Sequence, residues 1–135
     1  MTPTEALFAS LRTFLAERVQ PQLDPYTAFE SRIAMNLLGM LEREAQLGPK
    51  LEALDSALAR AHNMASDAVG ADLARALRDG ALAPDANLMR ELRRRTLLQL
   101  AIDNPRYSGF EQACSRWPEL SPRQVDDGGE SAAQA

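Results

Sequence analysis

An all-α fold, a bundle of about five helices, follows from three observations. Val and Ile together number five, so strand-forming residues are scarce. No run alternates apolar and polar residues as a half-buried strand does. Leu and Ala instead recur at three- and four-residue spacing between prolines and glycines.

Each element follows from its own punctuation. Thr2 caps a first helix, with Pro3 at its first position and Glu5 closing a Thr-x-x-Glu capping box. Leu7, Leu11, Phe14, Leu15 and Val19 continue it at helical spacing until Pro21. Asp24-Pro25 opens a second helix whose expected core face carries Tyr26, Phe29, Ile33, Leu37, Met40 and Leu41. Gly48 is its expected stop, and Pro49 opens a third helix with Leu51, Leu54, Leu58 and Ala61 in register. Ser66 or Asp67 caps a short fourth helix through Val69, Leu73 and Leu77, ending at Gly80. Pro84 opens a fifth, which Asn104-Pro105 terminates near Asp103.

That fifth helix changes character. Leu88, Met89 and Leu92 oppose Arg90 and Arg94, but 96–102 carries apolar side chains at nearly every angle. A helix apolar all round is buried all round, so 96–102 is expected at the centre of the bundle, with Leu100 in the core. Past Trp117 the periodicity fades. Residues 1–118 read as one helical domain and 119–135 as a disordered acidic tail.

Composition narrows the function. At 135 residues, 45% apolar and 25% charged, the chain suits one compact domain. Its net charge of -4 lacks the basic footprint of a nucleic-acid binder. The longest uncharged stretch, Ile33 to Leu41, is far short of a membrane span, and the first residues do not resemble a signal peptide. A lone cysteine, Cys114, fits a reducing compartment, so the expected location is the cytoplasm. Neither Gly-x-Gly-x-x-Gly nor Gly-x-x-x-x-Gly-Lys occurs. One histidine, His62, and one cysteine cannot assemble a zinc site, and no Glu-x-x-His pair exists for a di-iron centre. No cofactor and no metal are expected. A Cys114–His62 nucleophile couple has only Arg116 nearby to activate it, and His62 reads more simply as a helix-end residue near the carbonyl dipole.

Polar residues on apolar faces carry more. Arg90 and Arg93-Arg94-Arg95 form a basic cluster able to receive a phosphate, though Glu91 can pair with Arg94 and Arg95 along the helix. At about 100° per residue Glu44 falls in line with Tyr26, and Asn36 borders the same stripe. A carboxylate on a core face needs a cation, so Glu44 is expected to be buried and bound to Arg106, with Arg32 or Arg95 as substitutes. Asp103, at the end of the buried helix, faces Arg32 in the same scheme.

Arg32-x-x-x-Asn36, Glu42-Arg-Glu44, Leu47-Gly-Pro49 and above all Thr96-Leu-Leu-Gln-Leu-Ala-Ile-Asp-Asn-Pro-Arg-Tyr-Ser-Gly109 resemble a family of small bacterial domains of unknown function. The likeness covers about residues 4 to 110. The resemblance implies genes set beside aminoglycoside-phosphotransferase-like kinases and acyl-CoA dehydrogenases, and it supplies no catalytic residues. It favours a non-enzymatic accessory or regulatory domain that binds such a kinase or dehydrogenase. The alternative is a binder of an acyl-CoA or acyl-phosphate type ligand, or an unorthodox enzyme, using Arg32, Asn36, Glu44, Asp103, Arg106 and Tyr107. A symmetric homodimer is compatible with either.

Overall fold

The computed structural model describes residues 1–122, and the 123–135 part of the expected tail lies outside them. Five α-helices follow one another with no strand among the described residues: α1 (Pro3–Phe14), α2 (Pro25–Ala61), α3 (Val69–Arg78), α4 (Ala86–Asp103) and α5 (Ser108–Arg116). No helix among them is long and apolar enough to cross a membrane. The all-α expectation holds. The chain divides into two compact units, Met1–Pro49 and Lys50–Ala135.

In the first unit, α1 begins as its sequence requires. Thr2 Oγ1 accepts from Glu5 N at 3.1 Å and Glu5 Oε2 accepts from Thr2 N at 3.1 Å, a complete capping box. Past Phe14 the helix widens into a π-helical turn, Leu15–Val19, then tightens into a 3-10 turn, Gln20–Gln22, around Pro21. Gln20 Nε2 donates to the Ala28 carbonyl at 3.1 Å and ties this corner to α2. Arg12 Nη2 lies 2.8 Å from Glu42 Oε2, an ion pair with no hydrogen bond aligned on that oxygen. The Arg12 guanidinium also passes Gly39, where a methyl would stand 3.4 Å from Nη1.

Helix α2 starts at an Asp24 cap, whose Oδ2 accepts from Thr27 N at 3.2 Å. Hydrogen bonds from the Thr27 hydroxyl and then its backbone N–H hold the Asp24 carboxyl below its ordinary 3.8. A depressed folded value means that the cap contributes fully above the unfolded pKa and is lost as pH falls through the folded one. The Thr27 amide resonance is therefore expected to titrate with a midpoint below 3.8, and a midpoint at or above it would refute the bonded cap.

The expected break at Gly48-Pro49 does not occur. One helix of 37 residues carries Pro49 in its interior. Pro49 removes one N–H and leaves the Ala45 carbonyl without its ladder partner, a local cost that apolar residues on both sides offset. Leu47 is buried before it, and Leu58 and Ala59 are buried after it. The helix ends at Ala61, and Asn63 in the turn that follows takes a left-handed φ of 54°, a conformation asparagine tolerates.

The second unit holds the core. Leu58 and Ala59 pack with Val69 and Leu73 of α3 and with Leu88 of α4, and Leu54, Met64, Leu77, Leu82 and Leu92 close around them. Helix α3 starts at Ala68 with no side-chain cap, so neither Ser66 nor Asp67 has the expected role. Gly80, at φ +75°, turns the chain away after α3, as a residue without a Cβ does most readily. Asp85 caps α4 by accepting from Leu88 N at 2.8 Å, so Pro84 lies just outside the helix rather than opening it. Leu97, Leu98, Ala101 and Ile102 are buried, as the all-round apolar segment requires, but Leu100 is only half-buried.

Asn104, at φ −155°, ends α4, and α5 follows after a short turn with Phe110 and Cys114 buried one helical turn apart. The chain then makes a 3-10 turn, Pro118–Leu120, with Leu120 and Ser121 buried. The residues expected to begin the tail are thus packed as far as Pro122.

Candidate functional site

The faces expected to be buried in the first unit are open. Tyr26, Phe29, Ile33, Leu37 and Leu41 keep 47–71% of their surface exposed. Leu7, Leu11 and Phe14 of α1 are exposed as well. Ala28, Gly39 and Glu42 of α2 are among the residues that meet the first unit's other elements. At about 100° per residue these lie on the side of the helix opposite Tyr26, Ile33 and Leu37. That side of α2 also carries the half-buried Met35 and Leu38, and the apolar stripe is left over.

The same geometry corrects the expectation for Glu44. It is exposed, not buried. Because α2 continues past Gly48, Glu44 is not near a helix end, and its stripe has no cover within its own unit. Its carboxylate folds back along the helix, with Oε1 3.1 Å from where a Gly48 methyl would stand. Arg32 and Asn36, one turn apart on α2, are also exposed.

Asp103, Arg106 and Tyr107 belong to the second unit, in the α4–α5 turn. Asp103 accepts from Gln99 Nε2 at 3.1 Å, a bond within its own helix. Arg106 is exposed and forms no ion pair among the described residues. The Tyr107 ring folds over Gly109, where a methyl would sit 2.5 Å from Cε1. The backbone N–H of Tyr107 donates to the Asn104 carbonyl at 3.1 Å. The Asn-Pro-Arg-Tyr-Ser-Gly segment therefore builds the corner between two helices, with the exposed Tyr107 ring resting on Gly109.

The arginine run separates into three environments, because successive helical residues point about 100° apart. Arg95 grips Asp55 of α2 with two bonds, Nε–Oδ1 at 2.5 Å and Nη2–Oδ2 at 3.1 Å. Arg93 lies over the Trp117 ring, 4.7 Å from its centroid. Arg94 has neither kind of partner; it lines an open cavity of about 510 Å³ with Lys50, Leu54, Leu98, Leu120 and Ser121. Glu91 is not paired with Arg94 or Arg95 but lines a separate cavity of about 510 Å³ that also receives His62 and Asp85. Cys114 is buried in α5 and contributes to neither cavity. No cluster of histidine, cysteine and carboxylate side chains among the described residues is suited to hold a metal.

A family model described as a domain of unknown function, DUF6285, matches residues 21–107. The chain belongs to that family. The DUF6285 match contains the Arg32–Asn36, Glu42–Glu44 and Thr96–Tyr107 segments, and it stops short of α1 and α5 at either end. It also contains the open stripe of α2 and the three arginines. No curated protein and no solved structure matches the chain.

Lys50, Arg94 and Ser121 were not foreseen as one site. Lys50 and Arg94 stand on different helices and Ser121 follows the 3-10 turn, so only the fold brings them together. The open stripe was legible as a stripe, but helical spacing does not distinguish a buried apolar face from an unpartnered one.

Proposed function

We propose that this DUF6285 chain is a non-enzymatic accessory protein of the cytoplasm that binds a second, different protein through the apolar stripe of α2. The exposed row Tyr26, Phe29, Ile33, Leu37 and Leu41 carries this reading. Large side chains aligned on one open helix face mark an interaction surface, whereas scattered ones do not. Their aromatic members are of the type that dominates binding energy at interfaces.

The charges within the stripe select the kind of partner. Glu30 and Glu44 lie within it, four turns and about 21 Å apart. Two copies paired in parallel about this face would set each glutamate against itself. Paired antiparallel about Leu37, they would set Glu30 against Glu44. Like charges facing across a contact cost affinity. A partner with an apolar ridge and two basic side chains at matching separation suits the face better. The kinase-like or acyl-CoA dehydrogenase protein implied by the resemblance is the nominee.

Co-expression with each nominee, followed by size exclusion, is the test. The expected result is joint elution with one of them, and Ile33→Glu is expected to weaken that complex by at least about tenfold. Because Ile33 is exposed, circular dichroism of the variant should be unchanged. Elution of the chain alone in both pairings would overturn the proposal, as would an Ile33-dependent homodimer.

A further inference from the structure

The cavity between α2, α4 and the 3-10 turn of the second unit combines an apolar lining with two cations. Leu54, Leu98 and Leu120 form its apolar part, and Leu98 and Leu120 are themselves buried. Lys50 and Arg94 stand at its edge, and neither has an ion pair or hydrogen bond among the described residues. The contrast with the two neighbouring arginines is informative. Arg95 is neutralised by Asp55 and Arg93 is stacked on Trp117, while Arg94, half-buried, has no direct ion pair or hydrogen bond among the described residues and shares its cavity with a single carboxylate, Glu119. Holding a guanidinium in an apolar setting is unfavourable unless an anion joins it.

We infer that this cavity binds a small amphipathic monoanion, a carboxylate with a short aliphatic body. Its volume, about 510 Å³, lies within the range of small-molecule sites. The charge count argues for a single negative charge. Lys50 and Arg94 supply two positive charges and Glu119, on the same cavity, supplies one negative. A monocarboxylate brings the three to neutrality, whereas a phosphate dianion would overshoot and meet repulsion from Glu119. The leucines provide for the tail, whose transfer from water contributes about 0.8 kcal/mol for each buried methylene. The planar guanidinium of Arg94 matches a carboxylate with two parallel hydrogen bonds, and Lys50 adds a point charge.

The test uses the full chain with octanoate, 1-octanol and inorganic phosphate as probes, followed by calorimetry and by amide chemical shifts. Octanoate is expected to bind saturably and to shift the Leu54, Leu98 and Ser121 amides, with octanol and phosphate each at least about tenfold weaker. Lys50→Gln and Arg94→Gln are each expected to weaken octanoate binding by about tenfold. Lys50 is exposed, so its variant tests the site even if loss of Arg94 disturbs folding. No saturation by octanoate at millimolar concentration would overturn the inference. Octanol binding as tightly as octanoate would reduce the site to an apolar groove, and phosphate binding as tightly would reduce it to a bare anion site; either result also overturns it. Unchanged octanoate affinity in Lys50→Gln would do the same.

Discussion

Phe110→Ala is expected to destabilise the second unit by about 3–5 kcal/mol, the usual loss when a fully buried aromatic side chain is truncated. Phe110 is among the most buried side chains of the protein, at 1% exposure. Its importance is greater than its volume alone, because α5 is only nine residues long and has no independent stability. Two buried side chains, Phe110 and Cys114, hold this helix in place. Loss of the first should therefore release α5 and with it Trp117, whose ring lies beneath Arg93 and 4.9 Å from Arg116. Urea unfolding followed by Trp117 fluorescence reads both effects. A loss below about 1 kcal/mol would show that α5 is not anchored through this ring.

Helix α5 also marks a limit of sequence reading. Phe110, Ala113, Cys114 and Trp117 do recur at helical spacing, but over barely two turns, too short a run to fix a helix before the structure supplies a surface for it. The elements that were legible have chemistry that acts locally. Thr2, Pro3 and Glu5 define a helix start within four residues, and the apolar 96–102 segment supplies the buried Leu97, Leu98, Ala101 and Ile102, although Thr96 stays exposed and Leu100 half-buried. Gly48-Pro49 misled for the opposite reason. A stop signal is a local preference of a few kcal/mol, and apolar burial on either side of Pro49 exceeds it. The Glu44 latch failed on two assumptions made together, that α2 ended at Gly48 and that an apolar stripe faces its own core. Neither holds: the helix runs on to Ala61, and the stripe around Glu44 is open.

The polar contact that the second unit does bury in part joins Asp55 to Arg95, a pairing forty residues apart in the chain that no spacing argument selects. Asp55→Ala is expected to cost about 2–3 kcal/mol. The carboxylate and guanidinium retain 18% and 29% of their side-chain exposure. Water therefore screens them somewhat, and the cost should fall below the range for a fully dry pair. The pair still carries weight because of where it sits. It bonds α2 to α4 through a two-point fork, and the same guanidinium passes Gly70 of α3, with Nη2 3.9 Å from the position a methyl would take. Removing Asp55 leaves an arginine half-enclosed beside three helices with its one carboxylate partner gone. Arg95→Met alone should cost less, since methionine fills the space of the aliphatic stem and leaves only an aspartate that can turn toward water. Combining Arg95→Met with Asp55→Leu removes both charges and replaces them with apolar volume. The double variant should recover at least half of the Asp55→Ala loss, because exchanging a partly buried ion pair for packed apolar groups is often close to neutral. Denaturant unfolding of Asp55→Leu, of Arg95→Met and of the double variant closes the cycle and gives the coupling energy directly. Strict additivity would mean that Asp55 and Arg95 lie together without acting together, and that α2 and α4 are held by their leucines alone.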